Sequence, residues 1–331
     1  MRRDEFHGRV WCFCILILVC LLPCFSVSAQ EAKEKEKKVN HTSTFMQEWL
    51  KTLVSIEVWE PNEPKEPEKE PSPIGSGFLV KIPNGRCVLV TARHVAFTLN
   101  PKKKTWEQKQ NLAYRLNKKE GESELVRERF VAQYRGSGWF KSEKHDVACR
   151  LMIVRTGISD VNTIPYSMFI KTAEIQAGAP LLVVGFPLGF RSEEYAVPIV
   201  RRGMVARTDA DIILADAFTF PGNSGGPVIY APATPLGKVF STSILQDQRL
   251  VGLVSGHISY TDVAVSRQTK RPRVTFEENS GLCKVVPASA IRELLESPEF
   301  KAALEHAKML DEMRDRVREG NQPAGARSGN R

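Results

Sequence analysis

The sequence of 331 residues contains few cysteines, no internal repeat and only one long hydrophobic run. Four of its seven cysteines lie within residues 12–24, so only Cys87, Cys149 and Cys283 remain in the rest of the chain. Three scattered cysteines form at most one disulfide, which excludes a disulfide-stapled fold. The sequence also lacks an HExxH motif, paired Cys/His spacing and a phosphate-binding loop. We therefore predict neither a metal nor a cofactor.

The single long hydrophobic run lies at the N-terminus. Three arginines precede an uncharged stretch from Val10 to Ala29, which ends in the small residues that a signal peptidase requires, Val27-Ser28-Ala29. This arrangement predicts a signal peptide over residues 1–29 and export to the periplasm or the extracellular space. The alternative is an uncleaved signal anchor, because about 20 residues can span a bilayer as a helix. Only in that case do we expect a membrane association.

The remaining composition is that of a globular protein. Hydrophobic residues make up 42% and charged residues 26% of the sequence, which excludes a disordered or collagen-like chain. The net charge of +9 comes from basic residues that are mostly interleaved with acidic ones. No recognition module accompanies this modest excess, so we predict no nucleic-acid partner.

Short apolar runs separated by turn residues follow a polar segment at residues 30–44. Runs such as Cys87–Thr91, Leu181–Gly185 and Leu250–Ser255 have the length and composition of strands. Helical periodicity occurs only near the C-terminus, and a proline-rich stretch at residues 60–73 indicates a surface loop. We therefore predict an all-β barrel or sandwich with C-terminal helices rather than an alternating α/β sheet.

A glycine-rich turn around Ser224 carries the strongest chemical signal. The sequence from Pro221 to Pro227 reads Pro-Gly-Asn-Ser-Gly-Gly-Pro. Glycines on both sides of a serine allow a tight turn that exposes the hydroxyl, and the amides of Gly222 and Ser224 would bind a developing oxyanion. This pattern predicts acyl transfer with Ser224 as the nucleophile.

A histidine and an aspartate complete the set of groups that a serine nucleophile requires. His94 follows an apolar strand, and Asp146 precedes another. In the order His94, Asp146, Ser224 they can serve as base, orienting carboxylate and nucleophile of a catalytic triad. Asp160, which is also near in sequence, is a rival for the role of Asp146.

The ordered set of motifs resembles the trypsin-like serine proteases, and in particular the protease domain of the HtrA (Deg) type. The matching segments are Gly75–Val80, Thr91–Val95, Asp146–Ala148, Gly185–Gly189, Gly222–Pro227, Gly252–Ser255 and Gly281–Pro287. The resemblance implies two packed six-stranded antiparallel β-barrels with the triad in the cleft between them. We assign the protease domain to residues 45–296. A helical extension and disordered tail would occupy residues 297–331, in place of the PDZ domain of that family.

The resemblance also implies which residues bind the substrate. Ser255 and Gly256 would lie on the substrate-binding strand, with Ser255 bonded to Asp146. Phe218, six residues before the nucleophile, would line the S1 pocket and favour an apolar or small P1 residue. His257 would either face the same pocket and favour an acidic P1 residue or lie on an exposed loop.

Together these observations predict an exported serine endopeptidase that hydrolyses protein or peptide substrates through an acyl-enzyme. One alternative is a latent or non-catalytic protein that uses the protease fold for binding or as a chaperone. A second is an α/β-hydrolase, in which Asp247 and His257 would follow Ser224, but that fold needs a helix directly after the serine. The insertions at residues 101–131, 231–249 and 261–280 have no counterpart in the family, and we expect them to be exposed decoration.

Overall fold

A computed structural model describes residues 47–59, 70–135, 138–155, 157–192, 195–232 and 248–320. Five predicted segments lie outside the described residues: the leader 1–29, the polar segment 30–44, residues 60–69 and 233–247 of two loops, and residues 321–331 of the tail. Within the described ranges, no helix combines the length and hydropathy needed to cross a membrane.

The described chain is built mainly from short strands. In chain order they are β1 Leu53–Val58, β2 Ser72–Lys81, β3 Cys87–Thr91, β4 Phe97–Asn100, β5 Thr105–Gln108, β6 Leu112–Asn117, β7 Ser123–Arg127, β8 Phe140–Lys141, β9 Ala148–Leu151, β10 Ile164–Pro165, β11 Pro180–Gly185, β12 Ile199–Thr208, β13 Ile213–Asp216, β14 Pro227–Tyr230, β15 Arg249–Val265 and β16 Pro272–Pro287. The helices are α1 Arg93–Ala96, α2 Glu128–Arg135, α3 Ala288–Leu295 and α4 Pro298–Gly320. This content confirms the predicted all-β class with C-terminal helices.

The first half of the chain forms an eight-stranded sheet. The strand order is β7-β6-β1-β2-β3-β9-β8, and β10 pairs with β2 in parallel. Val54, Phe78 and Leu89 are fully buried in the central strands. Among the described strands, β7 and β8 remain the ends of the sheet, so it differs in detail from the six-stranded barrel that the resemblance implies.

The second half forms a closed six-stranded barrel in the order β11-β12-β13-β16-β15-β14. Its interior is filled by buried aliphatic side chains at alternating strand positions, such as Leu181 and Val183 on β11. Alternation places every second side chain inside because strand side chains point to opposite faces. The strand from Pro227 to Tyr230 follows Ser224 directly, so the α/β-hydrolase alternative is wrong.

Two of the predicted insertions contain regular strands. Segment 101–131 includes β6, which pairs with β1 and is buried along its whole length. The expectation of exposed decoration is therefore wrong for this strand. The composition of this segment also predicts a hairpin of Leu112–Leu116 with Leu125–Phe130; the hairpin of β6 with β7 is present, but β7 ends at Arg127 and a helix begins at Glu128. The Glu128 carboxylate pairs with the buried Arg150, a contact between distant residues that strand periodicity does not reveal.

The segment predicted as a loop over residues 261–280 belongs to a long hairpin. Strands β15 and β16 continue past the barrel and stay paired out to Val265 and Pro272. Most of this outer portion is exposed on both strands. We refer to residues 259–279, the exposed end of the β15–β16 hairpin, as the arm.

Candidate active site

The turn that carries Ser224 fits tightly between the two sheets. Gly222 and Gly225 have φ values of +95° and +84°, in the left-handed region that glycine adopts readily. A Cβ at Gly222 would lie 2.2 Å from the Phe186 carbonyl oxygen, and one at Gly225 would lie 2.1 Å from Thr91 Oγ1. Both positions therefore require glycine for space as well as for backbone conformation.

Ser76 of β2 attaches the first sheet to this turn. Its buried hydroxyl donates to the Gly222 carbonyl at 2.6 Å and accepts from the Phe186 amide at 2.9 Å. Its own amide donates to the Ser224 carbonyl at 2.8 Å. Two of these hydrogen bonds hold the turn on both sides of Asn223, and the third joins Ser76 to Phe186. Ser76 was not among the predicted site residues, although a serine between two glycines ahead of an apolar strand was a usable signal.

The turn leaves two amides without an internal acceptor. The amide of Asn223 donates to Phe220 and that of Gly225 donates to Val254. Among the described residues, the amides of Gly222 and Ser224 donate to no protein acceptor. These are the two donors that the sequence analysis assigned to the oxyanion, and the turn geometry leaves both available to a ligand.

His94 and Asp146 meet because two antiparallel strands end at the same edge. Strand β3 pairs with β9, with Thr91 opposite Ala148, so the residues after Thr91 lie beside those before Ala148. Asp146 Oδ2 lies 2.8 Å from His94 Nδ1, and Asp146 Oδ1 accepts from the His94 amide at 3.1 Å. The carboxylate therefore holds both the ring and the backbone of His94.

Ser255 on β15 makes a further hydrogen bond to the same carboxylate. Its hydroxyl donates to Asp146 Oδ2 at 2.6 Å. Burial alone raises the pKa of Asp146, but the hydrogen bonds from His94 and Ser255 and the charge of His94 outweigh it. The pKa of Asp146 is therefore below its ordinary value of 3.8. Asp146 is thus ionised at neutral pH and can orient and stabilise an imidazolium.

The turn that carries Ser224 adjoins the strand end that leads to His94. A Cβ at Gly225, next to Ser224, would lie 2.9 Å from the Ala92 amide nitrogen, and Ala92 is two residues before His94. Within the described part of the chain, the Ser224 hydroxyl forms no hydrogen bond to the His94 ring. Catalytic hydrogen bonds are often looser without substrate and tighten when it binds.

Asp160, the rival carboxylate, lies in a different environment. It pairs with Lys51 at 2.9 Å and accepts from the Tyr195 hydroxyl at 2.7 Å. These contacts occupy both of its oxygens, whereas Asp146 is the aspartate bonded to His94. The geometry therefore favours Asp146 as the orienting residue.

The residues expected to bind substrate lie at the base of the arm, where β15 and β16 leave the barrel. Phe218 is exposed, and its ring lies 3.4 Å from the position of a Cβ at Gly281. Gly256 has open space where a side chain would be, and the half-buried His257 pairs across the hairpin with Cys283. Phe218 thus supplies an apolar surface near the end of the barrel, and its role in the S1 pocket stays a prediction.

Replacing Ser76 with alanine should lower both stability and turnover. The substitution leaves the Phe186 amide without its acceptor and the Gly222 carbonyl without its donor, at a cost of about 1–3 kcal/mol in unfolding free energy. A loosened turn misplaces the Gly222 amide, so we expect kcat to fall by about tenfold to hundredfold. Urea unfolding and peptide hydrolysis measure the two effects.

Thr52→Val is a matched control, because the buried Thr52 hydroxyl also donates to a backbone carbonyl, that of Trp49, at 2.7 Å. It should lose comparable stability without a loss of kcat. Equal kcat values for the Ser76 and Thr52 variants would contradict a positioning role for Ser76.

One comparison with known proteins indicates a peptidase domain. Residues 75–237 match the family model of the trypsin-like peptidase domain. No curated protein matches the chain. One similar solved structure is the HtrA-type protease AlgW with a decapeptide, at 13% identity and a TM-score of 0.43, covering 77% of this chain and 65% of that one. Another is the same protease with a tripeptide, at 14% identity and a TM-score of 0.44, covering 77% and 62%. The chain thus spans less than two thirds of either structure.

Proposed function

We propose that this protein is an exported serine endopeptidase acting on protein or peptide substrates, in keeping with the match of residues 75–237 to the family model of the trypsin-like peptidase domain. The observation that supports this best is the meeting of the His94–Asp146 pair and the Ser224 turn across the two sheets. Ser76 bonds the turn from one sheet, and Gly225 contacts the strand end that leads to His94. Two free amides on the same turn complete the set of groups that acyl transfer requires.

In the proposed mechanism Ser224 Oγ attacks the scissile carbonyl while His94 Nε2 takes the hydroxyl proton. The carbonyl oxygen becomes an oxyanion, and the amides of Gly222 and Ser224 donate to it. His94 then protonates the leaving amine, and an acyl-enzyme remains on Ser224. Water, deprotonated by His94, attacks the ester and releases the acid. Throughout, Asp146 holds the ring with its proton on Nδ1 and stabilises the imidazolium.

Substrate selection in this proposal depends on the base of the arm. Ser255, Gly256 and His257 form the strand beside Ser224, and Phe218 provides an apolar wall. Since Phe218 carries no charge, it does not favour a basic P1 residue. We propose an apolar or small P1 residue.

A fluorophosphonate probe tests the proposal directly, because it reacts with a serine only where a base and an oxyanion hole activate it. Residues 30–331 and their Ser224→Ala variant would be treated with the probe and then assayed on casein. We expect labelling of the first protein, none of the second, and casein cleavage that requires Ser224. Folded protein that neither reacts nor cleaves would support the alternative of a latent or non-catalytic binding protein.

A further inference from the structure

The arm exposes an unusual amount of apolar surface. Tyr260 is 59% exposed and Phe276 is 51% exposed, and Val263, Val265 and Val274 are also exposed. A two-stranded hairpin with both faces in water is at most marginally stable by itself. Aromatic and β-branched side chains on a projecting, water-surrounded hairpin therefore indicate a surface that a partner covers.

One edge of β15 pairs first with β14 and the turn that carries Ser224, and the same edge then continues along the arm. Strand β14 pairs with β15 up to Leu253, and Val254 exchanges backbone hydrogen bonds with Gly225 and Gly226, the two residues after Ser224. Beyond Val254, β16 is the only described strand that pairs with β15. The opposite edge of β15 therefore pairs with no described strand and begins beside Ser224, although the Val263 amide donates to the neighbouring Asp262 carboxylate at 2.7 Å.

The pairing register of the arm shows which side chains share a face, and therefore which kind of peptide that face would bind. Tyr260 lies opposite Glu278, Asp262 opposite Phe276, and Ala264 opposite Val274, so these six residues share one face. That face alternates apolar side chains with two carboxylates. It is complementary to an extended segment in which apolar and basic residues alternate, because cross-strand apolar and opposite-charge pairs are favourable.

We propose that the arm is an edge-strand docking site for the substrate segment N-terminal to the scissile bond. The inference rests on the proposed function, since it assigns the substrate class of that same site. In an antiparallel ladder, a peptide whose carbonyl lies at Ser224 runs toward its N-terminus as β15 runs outward. The edge from Ser259 to Val265 extends about 20 Å at about 3.3 Å per residue, enough for about seven substrate residues. The protein would thus select unfolded or extended chains.

The test measures peptide binding to the Ser224→Ala chain by fluorescence anisotropy, so that no peptide is cleaved. The probes share the core Ala-Ala-Pro-Val-Ala-Ala, extended by Lys-Val-Lys-Ile-Lys-Val at its N-terminus in one peptide and at its C-terminus in the other. We expect the N-terminal extension to tighten binding by at least about tenfold over the core, and the C-terminal extension by less than about threefold.

N-methylation distinguishes backbone pairing from simple hydrophobic contact. Two versions of the N-terminally extended peptide carry N-methyl groups on alternate residues, offset from each other by one position. Only amides that face β15 donate to it, so one version should lose most of the gained affinity and the other should retain most of it. Equal losses in the two versions would contradict edge-strand docking.

Side-chain variants locate the site on the arm. Tyr260→Ser with Phe276→Ser should remove most of the gain from the N-terminal extension and leave binding of the core unchanged. The matched control is Met309→Ser with Met313→Ser on α4, which removes two equally exposed apolar side chains elsewhere. A gain that survives the arm variant, or that the control loses equally, would overturn the proposal.

Failure of this inference and failure of the proposed function give different results. Cleavage by the unmodified chain without any gain from the N-terminal extension would overturn the arm proposal alone. An absence of fluorophosphonate labelling, with intact length-dependent binding, would overturn the protease activity alone. If sedimentation shows that the arm variant dissociates a dimer while peptide affinities stay unchanged, the occupant is a second copy of the chain and the proposal is wrong.

Discussion

Replacing Ser224 with alanine is expected to lower the rate of peptide hydrolysis by about 10⁴–10⁶-fold, as in other enzymes that use such a triad. The alanine cannot attack the scissile carbonyl, so no acyl-enzyme forms. The oxyanion amides and the substrate-binding strand remain, so substrate affinity should change little. Initial rates on casein or a quenched fluorescent peptide measure the loss.

The structure supplies a control for this variant. Ser289 lies exposed on α3, where its hydroxyl contacts Thr172 at 3.0 Å, and Ser289→Ala should retain full activity. The unfolding midpoint of the Ser224 variant should match that of the unmodified chain, because no hydrogen bond of the Ser224 hydroxyl occurs among the described residues. A folded Ser224→Ala protein with full activity would refute the assignment of the nucleophile.

Replacing Asp146 with asparagine should lower kcat by about 10⁴-fold at neutral pH, as the same substitution does in other triads. The carboxylate accepts hydrogen bonds from the His94 ring, the His94 amide and Ser255. An asparagine amide can instead donate to Nδ1 and hold the ring in the wrong tautomer, with its proton on the nitrogen that must accept from Ser224. Single-turnover kinetics would separate this chemical loss from any change in binding.

Asp160→Asn is the matched control, because Asp160 pairs with Lys51 and Tyr195 and not with His94. Its variant should retain kcat even if stability falls. Full activity of Asp146→Asn, or an equal loss in both variants, would contradict the role of Asp146.

The same substitution should reveal a pH-dependent contribution to stability. Because the folded pKa of Asp146 is below its ordinary value of 3.8, ionised Asp146 stabilises the fold above that pH. The contribution is lost as the pH falls through the lowered pKa. The difference in unfolding free energy between the unmodified chain and Asp146→Asn should be present at about pH 5 and shrink as the pH falls through the lowered pKa. A difference that grows below about pH 4 would contradict the lowered pKa.

The short buried strands of both sheets could be predicted because their signals are local. Cys87–Thr91 has the predicted bounds, and Leu181–Gly185 differs from β11 by one residue. Short apolar runs between turn residues identify a buried strand without knowledge of its neighbours. The end of β7 could not be predicted in the same way. Glu128 begins a helix there and pairs with the buried Arg150, and that contact exists only in the folded chain.

The lengths of β15 and β16 were also beyond a local analysis. Residues 261–280 are polar enough to resemble a loop, and the strands there are defined by pairing with each other rather than by burial. An exposed hairpin has no hydrophobic alternation that distinguishes an inner face from an outer one. The sequence pattern therefore ended both strands at the edge of the barrel core.

By itself, the sequence determined the all-β class and pointed to candidate reactive groups, because turn glycines, apolar runs and a serine flanked by glycines are local chemical properties. Only the tertiary structure decided which carboxylate meets His94, since Asp160 is also near Asp146 in sequence and the pairing of β3 with β9 brings Asp146 to His94. It also decided that Ser76 holds the nucleophile turn and that one edge of β15 runs unpaired from Ser224 along the arm. Hydrogen bonds between residues as far apart as Ser76 and Gly222 form only when two sheets pack together, and no local pattern encodes them.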